Sequence, residues 1–91
     1  MTTVSIKNLP MEAEDILLKV RSSFAFAHKR DGIIYKNREG LLPEQSLGYY
    51  REYTVPTIDA QNRGTRRLVI GGDREVYYTD DHYQTFRQVI E

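Results

Sequence analysis

Apolar residues recur at helical spacing in only one stretch of the chain. In MEAEDILLKVRSSF, the residues Ala13, Leu17, Val20 and Phe24 fall on one face, and Ile16 widens the stripe. Glu12, Glu14 and Asp15 crowd the first turns, and Lys19 and Arg21 lie toward the other end, as the helix dipole favours. Asn8 or the Leu9–Pro10 turn supplies a start, because a proline at the first turn loses no needed hydrogen bond. This pattern predicts an amphipathic helix packed on a sheet.

The period is different elsewhere. A short alternation, TVSIK, precedes the helix and predicts a brief strand. After HKRDG, the segments GIIY, YYREYTV, RRLVI, REVYY and FRQVI are rich in β-branched and aromatic residues. Gly32, Gly40, Gly48, Gly64 and the Gly71–Gly72 pair punctuate them. One helix followed by several short strands predicts an α+β fold, with a single N-terminal helix packed on a twisted antiparallel β-sheet. Alternation assigns faces as well. Tyr50, Glu52 and Thr54 share one side of their strand, and Arg51, Tyr53 and Val55 take the other. If Leu68 and Ile70 face the helix, Arg67 turns outward, where Glu52 and Arg67 meet across adjacent strands. Taken alone, such a pair is an ordinary cross-strand ion pair of modest worth.

Composition narrows the possibilities. Ninety-one residues make one domain, 1–91, with room for a compact core and little for an internal cofactor cavity. The formal charge is +0, so any attraction for a polyanion must come from a local cluster. The absence of cysteine excludes disulfides, thiolate metal sites and a cysteine nucleophile. No apolar run approaches the roughly 20 residues of a bilayer span, and MTTVSIKNLP lacks a signal-peptide core, so the expectation is either a cytoplasmic protein or a mature or excised domain, with no membrane association.

Three further segments carry chemistry. In NRGTRR, Arg63, Arg66 and Arg67 flank a turn; guanidinium forks bind phosphate oxygens in pairs, although a charge run is also what a solvated surface looks like. In YKNREG, Glu39 follows Tyr35, Lys36, Asn37 and Arg38 in a loop closed by Gly40. A carboxylate there accepts two parallel bonds, which the ring N–H and exocyclic amine of guanine offer and adenine does not. Tyr35 or the plane of Arg38 offers a stacking surface for a base. The same letters also spell a plain polar turn. In YYTDDHYQTF, His82 stands behind Asp80 and Asp81, a setting equally suited to a half-exposed histidine satisfied by hydrogen bonds.

In order, the segments DGIIYKNREGLLPEQS, GYYREYTV, RGTRR and YYTDDHYQTF resemble the small microbial guanyl-specific ribonucleases, the barnase-type family. The match runs from about Asp31 through Phe86, and the length and the GYYREYTV wording are nearest the shorter members. The resemblance implies a cofactor-free, metal-independent endoribonuclease. It would cleave single-stranded RNA after guanosine through a 2′,3′-cyclic phosphate to a 3′-phosphate. Glu52 is then the general base, His82 the general acid, Arg63 and Arg67 the phosphate holders and Tyr83 an added phosphate donor. Glu39 reads guanine, with Lys36, Asn37 and Arg38 in the same loop and Tyr35 at the stacking position. Lys36 departs from the smaller neutral residue of the family pattern, and His28 has no matching role and reads as surface.

Elementary chemistry fits that assignment. Reference pKa values of about 4.3 for glutamate and 6.5 for histidine leave a window in which one is ionised and the other protonated. A bell-shaped pH dependence follows, and Asp80 and Asp81 would favour the imidazolium if they approach it in space. The resemblance further implies an extracellular monomer, in a range from secreted nutritional enzymes to toxin domains, and a barstar-like acidic inhibitor as protein partner. Two rivals stand beside it: a catalytically silent RNA- or protein-binding module on the same fold, and a purely structural domain.

Overall fold

In the computed structural model, residues 1–22, 31–57 and 62–91 are described; Phe24 and His28 lie outside them. The strands are β1 (Thr3–Ser5), β2 (Ile33–Ile34), β3 (Arg51–Thr54), β4 (Arg67–Ile70), β5 (Val76–Thr79) and β6 (Arg87–Ile90). They form one sheet in the order β1-β6-β5-β4-β3-β2. Helix α1 spans Met11–Ser22, after a 3₁₀ turn at Ile6–Asn8 that Ser5 caps through Lys7. Pro10 stands just before α1, and its carbonyl accepts the amide of Ala13 at 2.9 Å.

The sheet departs from the expected all-antiparallel arrangement at one edge. β2 through β6 pair antiparallel, whereas β1 runs parallel to β6, with Thr3 beside Gln88 and Ser5 beside Ile90. The helical crossover explains this. The chain leaves β1, passes through α1 on one face and returns through the meander, so its last strand reaches the first in the same direction.

The sheet buries both faces, each with its own apolar cluster. On one side, Ala13, Ile16 and Leu17 of α1 pack against Val55, Leu68, Val76, Tyr78 and Val89, with Val20 partly buried beside them. On the other, Tyr35, Leu42, Tyr50, Val69, Tyr77 and Phe86 form a second, aromatic cluster. Side chains alternate across the sheet, so the residues between the helix-facing ones all project to this second face. Among them are Glu52, Thr54 and Arg67, all buried. Charged groups at such positions need partners, and those partners define the site.

Candidate active site

Glu52 lies opposite Val69, and Thr54 lies opposite Arg67. Glu52 and Arg67 are therefore diagonal neighbours on one face, two residues out of register, and no ion pair joins them among the described residues. Tyr83 fills the intervening position: its hydroxyl donates to Glu52 Oε1 at 2.8 Å. Burial, then this bond to Glu52, pushes the Tyr83 phenol well above the usual tyrosine range, so it stays protonated and donating.

Arg67 is only 2% exposed. It donates to the carbonyls of Gly64 at 3.1 Å and Arg66 at 2.8 Å, folding its fork against its own loop. Its Nε is buried with no partner. Arg63 donates from Nε to Thr54 Oγ1 at 3.0 Å, which brings its guanidinium to the residue two along from Glu52 on the same face. Thr54 in turn anchors the strand end, its amide donating to Asp31 Oδ1 at 2.6 Å. Arg66 separates from the expected three-arginine cluster. It pairs with Glu12 of α1 at 3.1 Å and donates to the Pro56 carbonyl, on the helix side of the sheet.

An open groove of about 730 Å³ runs along this face. Its lining brings together Glu52, His82 and Tyr83 with Lys36, Asn37, Arg38 and Glu39, whereas Arg63 and Arg67 are not among the lining residues. The volume lies within the few-hundred to roughly 1,000 Å³ range of small-ligand sites. Tyr35 lies on its floor, 8% exposed, stacked on the Tyr83 ring at 5.0 Å and 22° and edge-on to Phe86. Burial foremost, with Glu39 and Glu52 adding to it, pushes its phenol up to about 12. The Asn37 side chain faces its own loop: Nδ2 donates to the Leu42 carbonyl at 2.9 Å, and Oδ1 accepts the Leu42 amide at 3.1 Å. With φ at +54° and the amide of Gly40 donating to its carbonyl at 3.0 Å, Asn37 closes a tight turn that leaves Lys36, Arg38 and Glu39 exposed.

A family model described as ribonuclease matches residues 1–90. The chain belongs to the ribonuclease family. Guanyl-specific ribonuclease Sa of Kitasatospora aureofaciens is 51% identical over 85 residues, 92% of this chain and 88% of its own. Guanyl-specific ribonuclease St of Saccharopolyspora erythraea is 42% identical over 87 residues, 96% of this chain and 86% of its own. A crystal structure of ribonuclease Sa2 with guanosine-2′-cyclophosphate superimposes with a TM-score of 0.94 at 40% identity, covering 99% of this chain and 96% of that one. Ribonuclease Sa2 in complexes with mononucleotides gives 0.97, also at 40% identity, over 100% and 95%.

Within this ribonuclease fold, the acids beside His82 have partners of their own. Asp81 turns its carboxylate onto Thr79, Gln84 and Thr85, and Asp80 approaches Arg87 at 3.7 Å. Successive residues in a tight turn point in different directions, so neighbours in the text are not neighbours in charge. His82 itself is exposed; its ring lies 4.9 Å from that of Tyr83, and its amide donates to the Thr65 carbonyl at 3.0 Å. The sequence reading missed four groove residues, Ile33, Ile34, Leu41 and Gln84. Ile33 and Ile34 were legible only as strand, and Leu41 and Gln84 carry no chemical signature in the text.

Proposed function

We propose that this chain is a guanyl-specific, metal-independent endoribonuclease, with residues 1–91 forming one catalytic domain. The observation that carries the reading is the shared groove: Glu52, His82 and Glu39 all line it. The guanyl-specific relatives and the guanosine cyclophosphate bound to ribonuclease Sa2 support the same substrate class.

In this reading, Glu39 accepts the two parallel N–H bonds of a guanine edge, with backbone amides of the 36–39 loop completing the contact. Glu52 removes the proton from the ribose 2′-hydroxyl, and the oxygen attacks phosphorus. The bond to the 5′-oxygen breaks as His82 protonates that leaving group, giving a 2′,3′-cyclic phosphate. Water then opens the cycle with the roles exchanged, His82 taking its proton and Glu52 returning one to the 2′-oxygen. Arg63 and Arg67 offset the charge on phosphorus, and the Tyr83 hydroxyl keeps Glu52 aimed. Secretion, a monomeric state and inhibition by an acidic protein that covers the site near Arg63 and Arg67 belong to the same proposal.

The test is incubation with EDTA and a short RNA containing a single G. Scission only after that G, abolished in His82→Ala, supports the assignment. Intact but retarded RNA would instead identify a silent binding module, and intact, unretarded RNA a structural domain.

A further inference from the structure

The turn from Thr79 to Thr85 presents His82 and Tyr83 to the groove in a shape that side-chain-bearing residues avoid. His82 has φ +56° and Tyr83 φ +74°, two consecutive left-handed residues with no glycine between them. Such backbone persists only where its surroundings over-determine it. Here the determinants converge on one carboxylate. Asp81 Oδ1 accepts the Thr79 hydroxyl at 2.7 Å, the Gln84 amide at 3.1 Å and the Thr85 amide at 2.9 Å. Its Oδ2 accepts the Thr85 hydroxyl at 2.5 Å. Thr79 Oγ1 in turn accepts the Tyr83 amide at 3.1 Å.

We propose that Asp81 is a positioning residue for the reaction, holding the 79–85 turn so that His82 and Tyr83 face the groove together. The inference rests on the ribonuclease reading above and assigns Asp81 a geometric rather than an electrostatic part. Both carboxylate oxygens are consumed by the turn, and its bonds straddle His82 and Tyr83 from either side. The far side of the turn is keyed to the arginine loop: Thr65 Oγ1 donates to the Asp80 carbonyl at 2.8 Å, and the Thr65 carbonyl accepts the His82 amide at 3.0 Å. Loss of the carboxylate releases the Thr79 and Thr85 tethers, and the left-handed pair relaxes toward ordinary backbone. His82 then leaves the groove, and the Tyr83 hydroxyl leaves Glu52.

The experiment compares wild type, Asp81→Ala, Asp81→Asn and Thr85→Val on a guanosine-containing dinucleotide, with folding checked by circular dichroism. Folded Asp81→Ala should lose at least about tenfold in kcat with KM changed less than about threefold, because the guanine end of the groove is untouched. Asp81→Asn keeps one acceptor oxygen and should recover most of the loss. The His82 ring resonances should broaden or split in Asp81→Ala, a change that a uniform loss of folded protein does not produce. A folded Asp81→Ala with kcat within about twofold of wild type overturns the inference. Should that variant fail to fold, Thr85→Val decides. A fall in kcat of about threefold or more at constant KM supports the inference, and unchanged kcat overturns it. Wild-type protein that leaves the dinucleotide intact sinks the ribonuclease reading itself, whereas active wild type beside equally active variants sinks only the assignment of Asp81.

Discussion

The hydroxyl of Tyr83 donates to Glu52 Oε1 at 2.8 Å, joining a residue of the 79–85 turn to one of β3. It is the bond that takes the place of a direct Glu52–Arg67 ion pair. Hydrogen bonds to charged groups contribute about 1.5–3 kcal/mol, and each 1.36 kcal/mol is about tenfold in rate. Tyr83→Phe keeps the ring against Tyr35 and removes only the donor, so kcat/KM should fall roughly tenfold to a hundredfold on this scale. Steady-state kinetics on a guanosine dinucleotide, beside a denaturation curve, measures both effects.

Base selection should depend on Glu39 alone among the acidic residues of the groove. Its side chain is exposed in the groove, so Glu39→Gln should leave thermal stability nearly unchanged. A glutamine presents one acceptor and one donor where guanine offers two donors. The ratio of cleavage after G to cleavage after A should drop at least about a hundredfold, since site-built hydrogen bonds supply discrimination of about 10⁴ or more. Competition assays with RNAs differing at one base would expose the change.

Acid stability should bear the mark of Asp81. The Thr85 hydroxyl, with the Thr85 and Gln84 amides and Thr79 behind it, holds the Asp81 carboxyl down to about 2 from its ordinary 3.8. A depressed carboxyl stabilises the fold fully above its unfolded pKa and loses that contribution as pH falls through the folded one. The Tm difference between wild type and Asp81→Asn should therefore be constant above pH ~5 and shrink between pH ~4 and ~2. A difference that stays flat across that window would argue against the bonding pattern.

A second bridge holds the loop that follows the guanine end. Tyr49 donates to Glu75 Oε2 at 2.7 Å, and both side chains press on Gly71. A methyl group there would lie 2.8 Å from Tyr49 Cε1 and collide with the Glu75 carboxylate. Overpacking of this kind commonly costs about 1–3 kcal/mol. Gly71→Ala should lower Tm by several degrees with catalysis at 25 °C little altered, as thermal melts and initial rates would register.

The helix and the faces of the strands were readable from the chain because their periods, 3.6 and 2, are local properties. The same alternation that turned Arg67 outward also turned Arg66 inward, so the pairing of Arg66 with Glu12 had a signal that the run of arginines obscured. The parallel partner of β1 had none. Three residues specify no register, and their neighbour comes from the other end of the text. At Asp81 the letter beside His82 suggested only charge, and the turn shows a second use that the text did not signal, with both oxygens accepting bonds inside it. Tyr35 read as a stacking platform from its place in the loop; its ring lines the groove while stacking on Tyr83, a contact that the loop wording did not signal.

The parallel seam between β1 and β6 has a consequence for how such a protein comes into being. β6 is wedged between the first strand and β5, and the His82 turn hangs between β5 and β6. The sheet therefore cannot join its first strand to the meander, or settle the imidazole into register, before β6 is in place. Until β6 pairs, the turn that carries His82 lacks the second of the two strands that hold it.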